Sequence, residues 1–145
     1  MGWVRRLFGK TIALDTAPLI YCVEENPHFL ELVRPFFGAL EADEFKAMTS
    51  TLTITETLVK PLRHGLRELA HAFHGLLAEH VEIMPVTAEI AEGAAKLRAD
   101  HGPRIPDAIQ VATAVTHKTD FFLTNDARLG RLNQLEVLVL SNLED

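Results

Sequence analysis

Short apolar segments alternate with longer helical patterns along this chain, and that alternation restricts the folds it can adopt. The apolar segments are typical of buried strands, which read as short runs of β-branched and other apolar residues. They fall at residues 11–14, 45–52, 81–85, 121–124 and 137–140. Because strands that alternate with helices are joined by right-handed crossovers, the sequence predicts an α/β fold. Its central sheet is expected to be mostly parallel, with helices on both faces in a three-layer arrangement.

The segments between these strands carry the spacing of apolar residues that is typical of helices. We expect helices near residues 18–23, 28–40, 87–99 and 106–115, with a short one at 127–132. A longer helical segment opens at Thr53 and runs to residue 79. Pro61 and Gly65 interrupt it, so we interpret it as two helices.

The composition is that of a globular protein. Hydrophobic residues make up 48% of the 145 residues and charged residues 23%, a balance that excludes a disordered chain. The length predicts a single domain over residues 1–145. Because no apolar segment reaches the length of a membrane span or a secretory signal, we expect a soluble cytoplasmic protein without a membrane partner. The single Cys22 excludes an intrachain disulfide.

The net charge of −6 constrains how the chain could bind a polyanion. It has 20 acidic residues against 14 lysines and arginines, whereas proteins that bind nucleic acid usually carry a basic surplus. Either nucleic acid is not a ligand, or the acidic residues are concentrated where a metal ion neutralises them.

Four acidic residues are predicted to meet at one edge of the sheet, where sites in open α/β folds lie. Asp15 ends the first strand and Asp126 follows the fourth strand by two residues. Glu56 and Asp107 fall in the first turns of two helices, whereas Asp120 precedes its strand and belongs at the opposite edge. Clustered carboxylates repel one another unless a cation lies among them, and such oxygen ligands select Mg²⁺ or Mn²⁺. Ions held in this way are used for phosphodiester hydrolysis.

Three of these acids also have a purely structural explanation. Thr53 and Glu56 fit a capping box, in which the glutamate reaches back to the first residue of its helix. Asp107 complements a helix dipole, and Asp126 is a good N-cap for the short helix that follows it. Asp15 has no capping role in this interpretation, because it directly follows an apolar strand. The clustering of all four favours the functional explanation.

Four motifs occur in order along the chain, at residues 14–21 (LDTAPLIY), 53–56 (TITE), 106–112 (PDAIQVA) and 123–126 (LTND). Together they resemble the PIN-domain ribonucleases, and within them the VapC-type toxins of toxin–antitoxin pairs. The motif-bearing region runs from about residue 10 to 141. The resemblance implies a parallel sheet between helices and a Mg²⁺- or Mn²⁺-dependent cut of RNA.

The resemblance also implies roles for individual residues. It assigns metal-ligand and catalytic roles to the four acids of the edge: Asp15, Glu56, Asp107 and Asp126. Glu56 or Asp107 would orient or deprotonate the attacking water, and Thr16 and Thr124 would be hydroxyl donors near the ions. Ala17 stands where the family often has Asn or Ser, a departure that usually weakens a metal site rather than abolishing it.

The partners implied by the resemblance are an RNA substrate, a cognate antitoxin and a second copy of the chain in a homodimer. Two other interpretations share the domain: a housekeeping RNA-processing nuclease, and a PIN-like module that binds RNA or protein without cutting. An unrelated metal-dependent phosphohydrolase that acts on small phosphate esters is a further alternative.

Five basic residues are candidates for contact with the RNA backbone. Lys60, Arg63 and Arg67 are spaced at i, i+3 and i+7, so they could share a helical face beyond Glu56 despite the interruptions noted above. Arg104 and Arg128 lie beside two of the acidic residues of the edge. The alternative for each of these residues is a solvated surface position.

The helix predicted at residues 28–40 has a wider apolar arc than a surface helix needs. Leu30 and Phe37 extend that arc to about 160°. Either these two side chains belong to a thick core, or they form a groove for the amphipathic segment of an antitoxin.

Overall fold

The computed structural model describes residues 2–143, so Met1 and residues 144–145 of the predicted domain lie outside the described residues. Within this range five strands form one sheet: β1 (Thr11–Leu14), β2 (Lys46–Ser50), β3 (Val81–Met84), β4 (Phe121–Thr124) and β5 (Glu136–Val139). The strand order is β3-β2-β1-β4-β5, and every neighbouring pair is parallel. The predicted α/β fold with a parallel central sheet is confirmed.

Six α-helices connect or follow the strands in the described residues: α1 (Thr16–Val23), α2 (Leu30–Glu41), α3 (Thr51–His64), α4 (Arg67–His80), α5 (Ala88–His101) and α6 (Ile105–Thr116). Short 3₁₀ helices lie at Gly2–Leu7, Ala127–Arg131 and Leu140–Asn142. Between residues 2 and 143, no helix combines the length and the apolar character needed to cross a membrane.

Alternate side chains of β1 point into two different apolar layers, as the pleat of a strand requires. Ile12 and Leu14 belong to a layer that includes Phe36 of α2. Ala13 belongs to the other layer, with Val111 of α6. The sheet is therefore covered on both faces, which is why apolar residues follow one another directly along the central strand β1.

The end of β2 differs from the prediction of a strand over residues 45–52. Ser50 caps α3, because its side chain accepts a hydrogen bond from the backbone N–H of Leu52. The helix therefore begins two residues before Thr53, and Glu56 lies in its second turn. The predicted capping box of Thr53 and Glu56 is wrong, since both residues are inside the helix.

Phe37, which widens the apolar arc of α2, belongs to the core. Phe37 is only 3% exposed, and its ring packs edge-on against Phe36 with 5.0 Å between ring centroids. The 3₁₀ helix Gly2–Leu7 packs against α2, where Trp3 stacks on Phe36. The groove hypothesis is therefore wrong for Phe37, whereas Leu30 is half-buried.

Candidate active site

All four predicted acidic residues line one cleft at the carboxyl edge of the sheet. The cleft has a volume of about 490 Å³ and lies where β1 and β4 end. Asp15 directly follows β1, and Asp126 follows β4 by two residues. Glu56 reaches the cleft from α3, and Asp107 reaches it from the first turn of α6. The rule that sites lie at the carboxyl ends of parallel strands therefore correctly predicted that these four acids lie together.

Asp15 is buried, and both of its carboxylate oxygens accept hydrogen bonds. The Thr124 hydroxyl donates to Oδ2 at 2.7 Å, and the backbone N–H of Thr16 donates to Oδ1 at 2.8 Å. The second bond makes Asp15 the N-cap of α1, so the expectation that it has no capping role is wrong. The position after an apolar strand did not exclude this role because α1 begins at the very next residue.

Burial raises the pKa of the Asp15 carboxyl to about 6. The hydrogen bonds from Thr124 and Thr16 act in the opposite direction, and the negative charges of Asp107 and Glu56 raise the pKa further. A carboxylate with these neighbours is costly to ionise, and a nearby cation would remove that cost.

The raised pKa of Asp15 predicts a pH dependence of stability. Between about pH 4 and pH 6 the folded protein holds a proton on Asp15 that the unfolded chain has lost, so the free energy of unfolding falls as the pH rises. A shift of about two units corresponds to about 3 kcal/mol. Urea unfolding in the presence of a chelator should show this fall in the wild type, and a smaller fall in Asp15→Asn. Identical pH profiles for the two proteins would contradict the assignment.

Glu56 accepts a hydrogen bond from a neighbouring helix. The Thr16 hydroxyl donates to its Oε1 at 2.7 Å, and this hydroxyl also lies 3.3 Å from that of Thr53. Thr53 is in turn bonded to the buried side chain of Gln110. Thr16 was predicted from the sequence as part of the site, whereas Thr53 and Gln110 were not. The signal available in the sequence was a large polar residue, Gln110, among the small and apolar residues that surround it in α6.

The other two acids are paired with arginines. Arg128 binds Asp126 through two bonds, Nε to Oδ1 at 3.0 Å and Nη2 to Oδ2 at 2.8 Å. The hydrogen bonds from Arg128 lower the pKa of Asp126. Asp126 also caps the short helix Ala127–Arg131, as predicted. Arg104 lies 3.5 Å from Asp107, measured from Nε to Oδ2. Of the two arginines, Arg104 lines the acidic cleft, whereas Arg128 lies beside it and is bonded to Asp126; their contact with a substrate stays a prediction.

The remaining three basic residues do not form the predicted common face. Gly65, with φ of +65°, ends α3, and Arg67 begins α4 after it. Arg67 is thus on a different helix from Lys60 and Arg63, so the i+7 spacing does not place it on their face. Lys60 bonds Glu24 at 2.6 Å, and none of the three basic residues lines the cleft.

The donor set of the cleft fits a hard divalent cation. Its four carboxylates supply only oxygen ligands, which Mg²⁺ and Mn²⁺ prefer. In the part of the chain that the structure describes, no three His, Cys, Asp or Glu side chains already converge to hold an ion. The carboxylate oxygens are instead bonded to the arginine and threonine partners described above, and each carboxylate keeps lone pairs for an ion.

The fold and the cleft define an α/β/α protein in which four acidic residues line one cleft at the carboxyl edge of a parallel sheet. Residues 12–135 match the family model of the PIN domain. The chain belongs to the PIN domain family, and the resemblance drawn from its four motifs is confirmed. No curated protein sequence matches the chain.

Solved structures of toxin–antitoxin proteins have a similar fold. A chain of DNA-bound VapBC from Salmonella typhimurium is 16% identical, with a TM-score of 0.74 over 90% of this chain and 98% of that one. A chain of VapBC2 from Rickettsia felis, bound to a promoter DNA fragment, is 15% identical, with a TM-score of 0.72 over 89% and 98%. VapC20 of Mycobacterium tuberculosis, a toxin that cleaves the sarcin–ricin loop, is 21% identical, with a TM-score of 0.63 over 77% and 86%.

Proposed function

We propose that this protein is a Mg²⁺- or Mn²⁺-dependent endoribonuclease and the toxin of a toxin–antitoxin pair. The observation that carries the proposal is the cleft at the carboxyl edge of the sheet, which is lined by four carboxylates. Two of these carboxylates, Asp107 and Asp126, are paired with arginines. Membership of the PIN family and the likeness to VapBC complexes support it. An RNA substrate, a cognate antitoxin, a homodimer and a location in the cytoplasm belong to the same proposal.

The four acids hold the metal in this proposal: Asp15, Glu56, Asp107 and Asp126. A bound Mg²⁺ or Mn²⁺ ion supplies a Lewis acid for the phosphate and lowers the pKa of bound water. Asp15 is the anchor, because its two hydrogen bonds fix its carboxylate at the floor of the cleft. Glu56 is exposed in the cleft and is held only by Thr16, so it is best placed to orient the attacking water or remove its proton.

The arginines give the acidic cleft its affinity for a polyanion. Arg128 is bonded to Asp126 and mostly exposed, so its guanidinium can turn from Asp126 to bind a phosphate of the RNA. Arg104 lines the same cleft and can do likewise. Together with a divalent ion, the two arginines would offset the four carboxylates locally, which reconciles the net charge of −6 with an RNA substrate. Arg63 and Arg67 are exposed farther from the cleft and would contact the flanking RNA.

One observation favours a second function, a PIN-like domain that binds RNA or protein without cutting. Arg128 holds both oxygens of Asp126, so the carboxylate already has a cation partner without any metal. A housekeeping RNA-processing nuclease would use the same chemistry as the toxin and differ only in its target.

Incubation with a panel of structured RNAs in Mn²⁺, Mg²⁺ or a chelator tests the proposal. We expect cleavage with either ion and none with the chelator, and calorimetry should detect Mn²⁺ binding without RNA. RNA that is bound but left intact under all conditions would favour the non-catalytic module. Growth arrest on expression in a bacterial host supports the toxin, whereas cleavage without growth arrest supports the housekeeping nuclease.

A further inference from the structure

Gln110 lies at the centre of a buried chain of hydroxyl and amide groups beneath the acidic cleft. It is 2% exposed and lies three residues after Asp107 on α6. Its Oε1 accepts a hydrogen bond from the Ser50 hydroxyl at 2.8 Å. Its Nε2 donates to the hydroxyl of Thr53 at 2.8 Å and faces that of Thr16 at 3.4 Å. A buried amide is costly unless its polar atoms are satisfied, and here both ends have partners.

The protons along this chain have one consistent arrangement. Thr49 donates its hydroxyl proton to the backbone carbonyl of Leu14 at 2.9 Å. The short 2.6 Å contact between the Thr49 and Thr53 hydroxyls must therefore use the proton of Thr53. With its own proton committed, Thr53 can only accept from its remaining partner, which requires the amide N–H of Gln110. This orientation also leaves Oε1 free to accept from Ser50.

The same arrangement sets the direction of the hydrogen bond to Glu56. The second N–H of the Gln110 amide points to the oxygen of Thr16, which leaves the Thr16 proton for a different acceptor. That acceptor is Oε1 of Glu56, at 2.7 Å. The chain thus ends in a donor aimed at a carboxylate, and a hydrogen bond to a charged acceptor is stronger than one between neutral groups.

We propose that Gln110 is a positioning residue for the active site: its amide, oriented by Ser50 and Thr53, fixes the Thr16 hydroxyl as a donor to Glu56 and so holds that carboxylate in the cleft. Gln110 reaches no wall of the cleft itself, so it acts only through the other side chains. The inference deepens the proposed nuclease function, on which the importance of Glu56 rests.

Gln110→Met tests the inference, because methionine keeps the volume and removes both the donor and the acceptor. Calorimetric titration with Mn²⁺ alone should show a dissociation constant raised about 10-fold, the usual effect of losing a group that orients a metal ligand. The kcat for RNA cleavage should fall by about 10-fold or more, while KM for RNA stays within about twofold. Thr113→Val is the matched control, since Thr113 is buried on the same helix and donates only to the carbonyl of Ile109. It should bind Mn²⁺ and cleave RNA like the wild type.

A double-mutant cycle separates positioning from general stability. Thr16→Val should weaken Mn²⁺ binding as much as Gln110→Met does, and the double variant should weaken it no further. Losses that add up in the double variant, or equal losses in Thr113→Val, would overturn the inference. If Gln110→Met does not fold, Thr53→Val removes the acceptor that orients the Gln110 amide and carries the same expectation.

The inference and the proposed function can fail separately. A wild type that neither binds Mn²⁺ nor cleaves RNA overturns the nuclease, and the position of Glu56 in a crystal structure of Gln110→Met then decides the inference. Loss of the contact between the Thr16 hydroxyl and Glu56 in that variant supports it. A contact that is unchanged from 2.7 Å overturns it.

Discussion

Replacing Asp107 with asparagine is expected to lower the rate of RNA cleavage by at least about 100-fold while the protein stays folded. The change removes one of the charges that the proposed metal site needs and alters the size of the side chain very little. Stability without metal should hold or rise, because the charge of Asp107 raises the pKa of Asp15 and its removal relieves that repulsion. Cleavage of a labelled RNA, with thermal unfolding of the same preparation, measures both effects.

Asp120→Asn is the matched control for that experiment. Asp120 precedes β4 and accepts a hydrogen bond from the backbone N–H of Thr11, at the opposite edge of the sheet from the cleft. The control variant has the same change of charge and should keep wild-type cleavage. Full activity in Asp107→Asn, or equal losses in the two variants, would remove Asp107 from the site.

The substitution Phe37→Ser is expected to lower the free energy of unfolding by about 3–5 kcal/mol, the usual cost of truncating a buried aromatic side chain. Phe37 is 3% exposed and packs with Phe36 in the layer between α2 and the sheet. A loss of this size leaves little stability in a chain of this length, so the variant should be largely unfolded at moderate urea concentrations.

Leu30→Ser provides the comparison for Phe37→Ser, because Leu30 is on the same helix and only half-buried. It should cost no more than about 1 kcal/mol and leave the RNA cleavage intact. Urea unfolding followed by circular dichroism gives both values. A Phe37→Ser protein that unfolds at the wild-type urea concentration would restore the groove as the explanation of the wide apolar arc.

A helical wheel could not decide whether the wide apolar arc of α2 belongs to the core or to a partner groove. The wheel of α2 shows which residues share a face but not how many neighbouring elements cover that face. Here the 3₁₀ helix Gly2–Leu7, for which the sequence analysis predicted no structure, buries Trp3, Val4 and Leu7 and packs against α2. The additional packing against α2 favours the thick core over the partner groove, as the burial of Phe37 also does.

The acidic residues were predictable because one topological rule determines their position. Strands of a parallel sheet end at the same edge, so Asp15 and Asp126 had to meet once their strands were identified. The predicted capping box of Glu56 failed locally, since Ser50 caps the helix instead. Glu56 therefore lies in the second turn of α3 and not in the first, but its side chain still lines the cleft.

The buried polar chain was not predictable in the same way. Gln110 is separated from Thr53 by 57 residues and from Thr16 by 94, and no periodic pattern connects such positions. Their contact depends on the packing of α6 against α3 and the sheet. Side-chain hydrogen bonds of this range follow from the folded geometry and leave little trace in the order of the residues.

Because β1 is the central strand of the sheet, the acidic cleft at its end should survive local unfolding of the outer strands. β1 has β2 on one side and β4 on the other, so separation of either outer strand, β3 or β5, leaves its backbone hydrogen bonds in place. The backbone N–H of Asp15 is itself bonded to the carbonyl of Leu123 in β4 at 2.9 Å. Amide hydrogen exchange at Asp15 should therefore be among the slowest in the chain and report global unfolding rather than fraying. The Asp15 carboxylate, which is bonded to Thr124 of β4, is then expected to keep its position when only β3 or β5 separates.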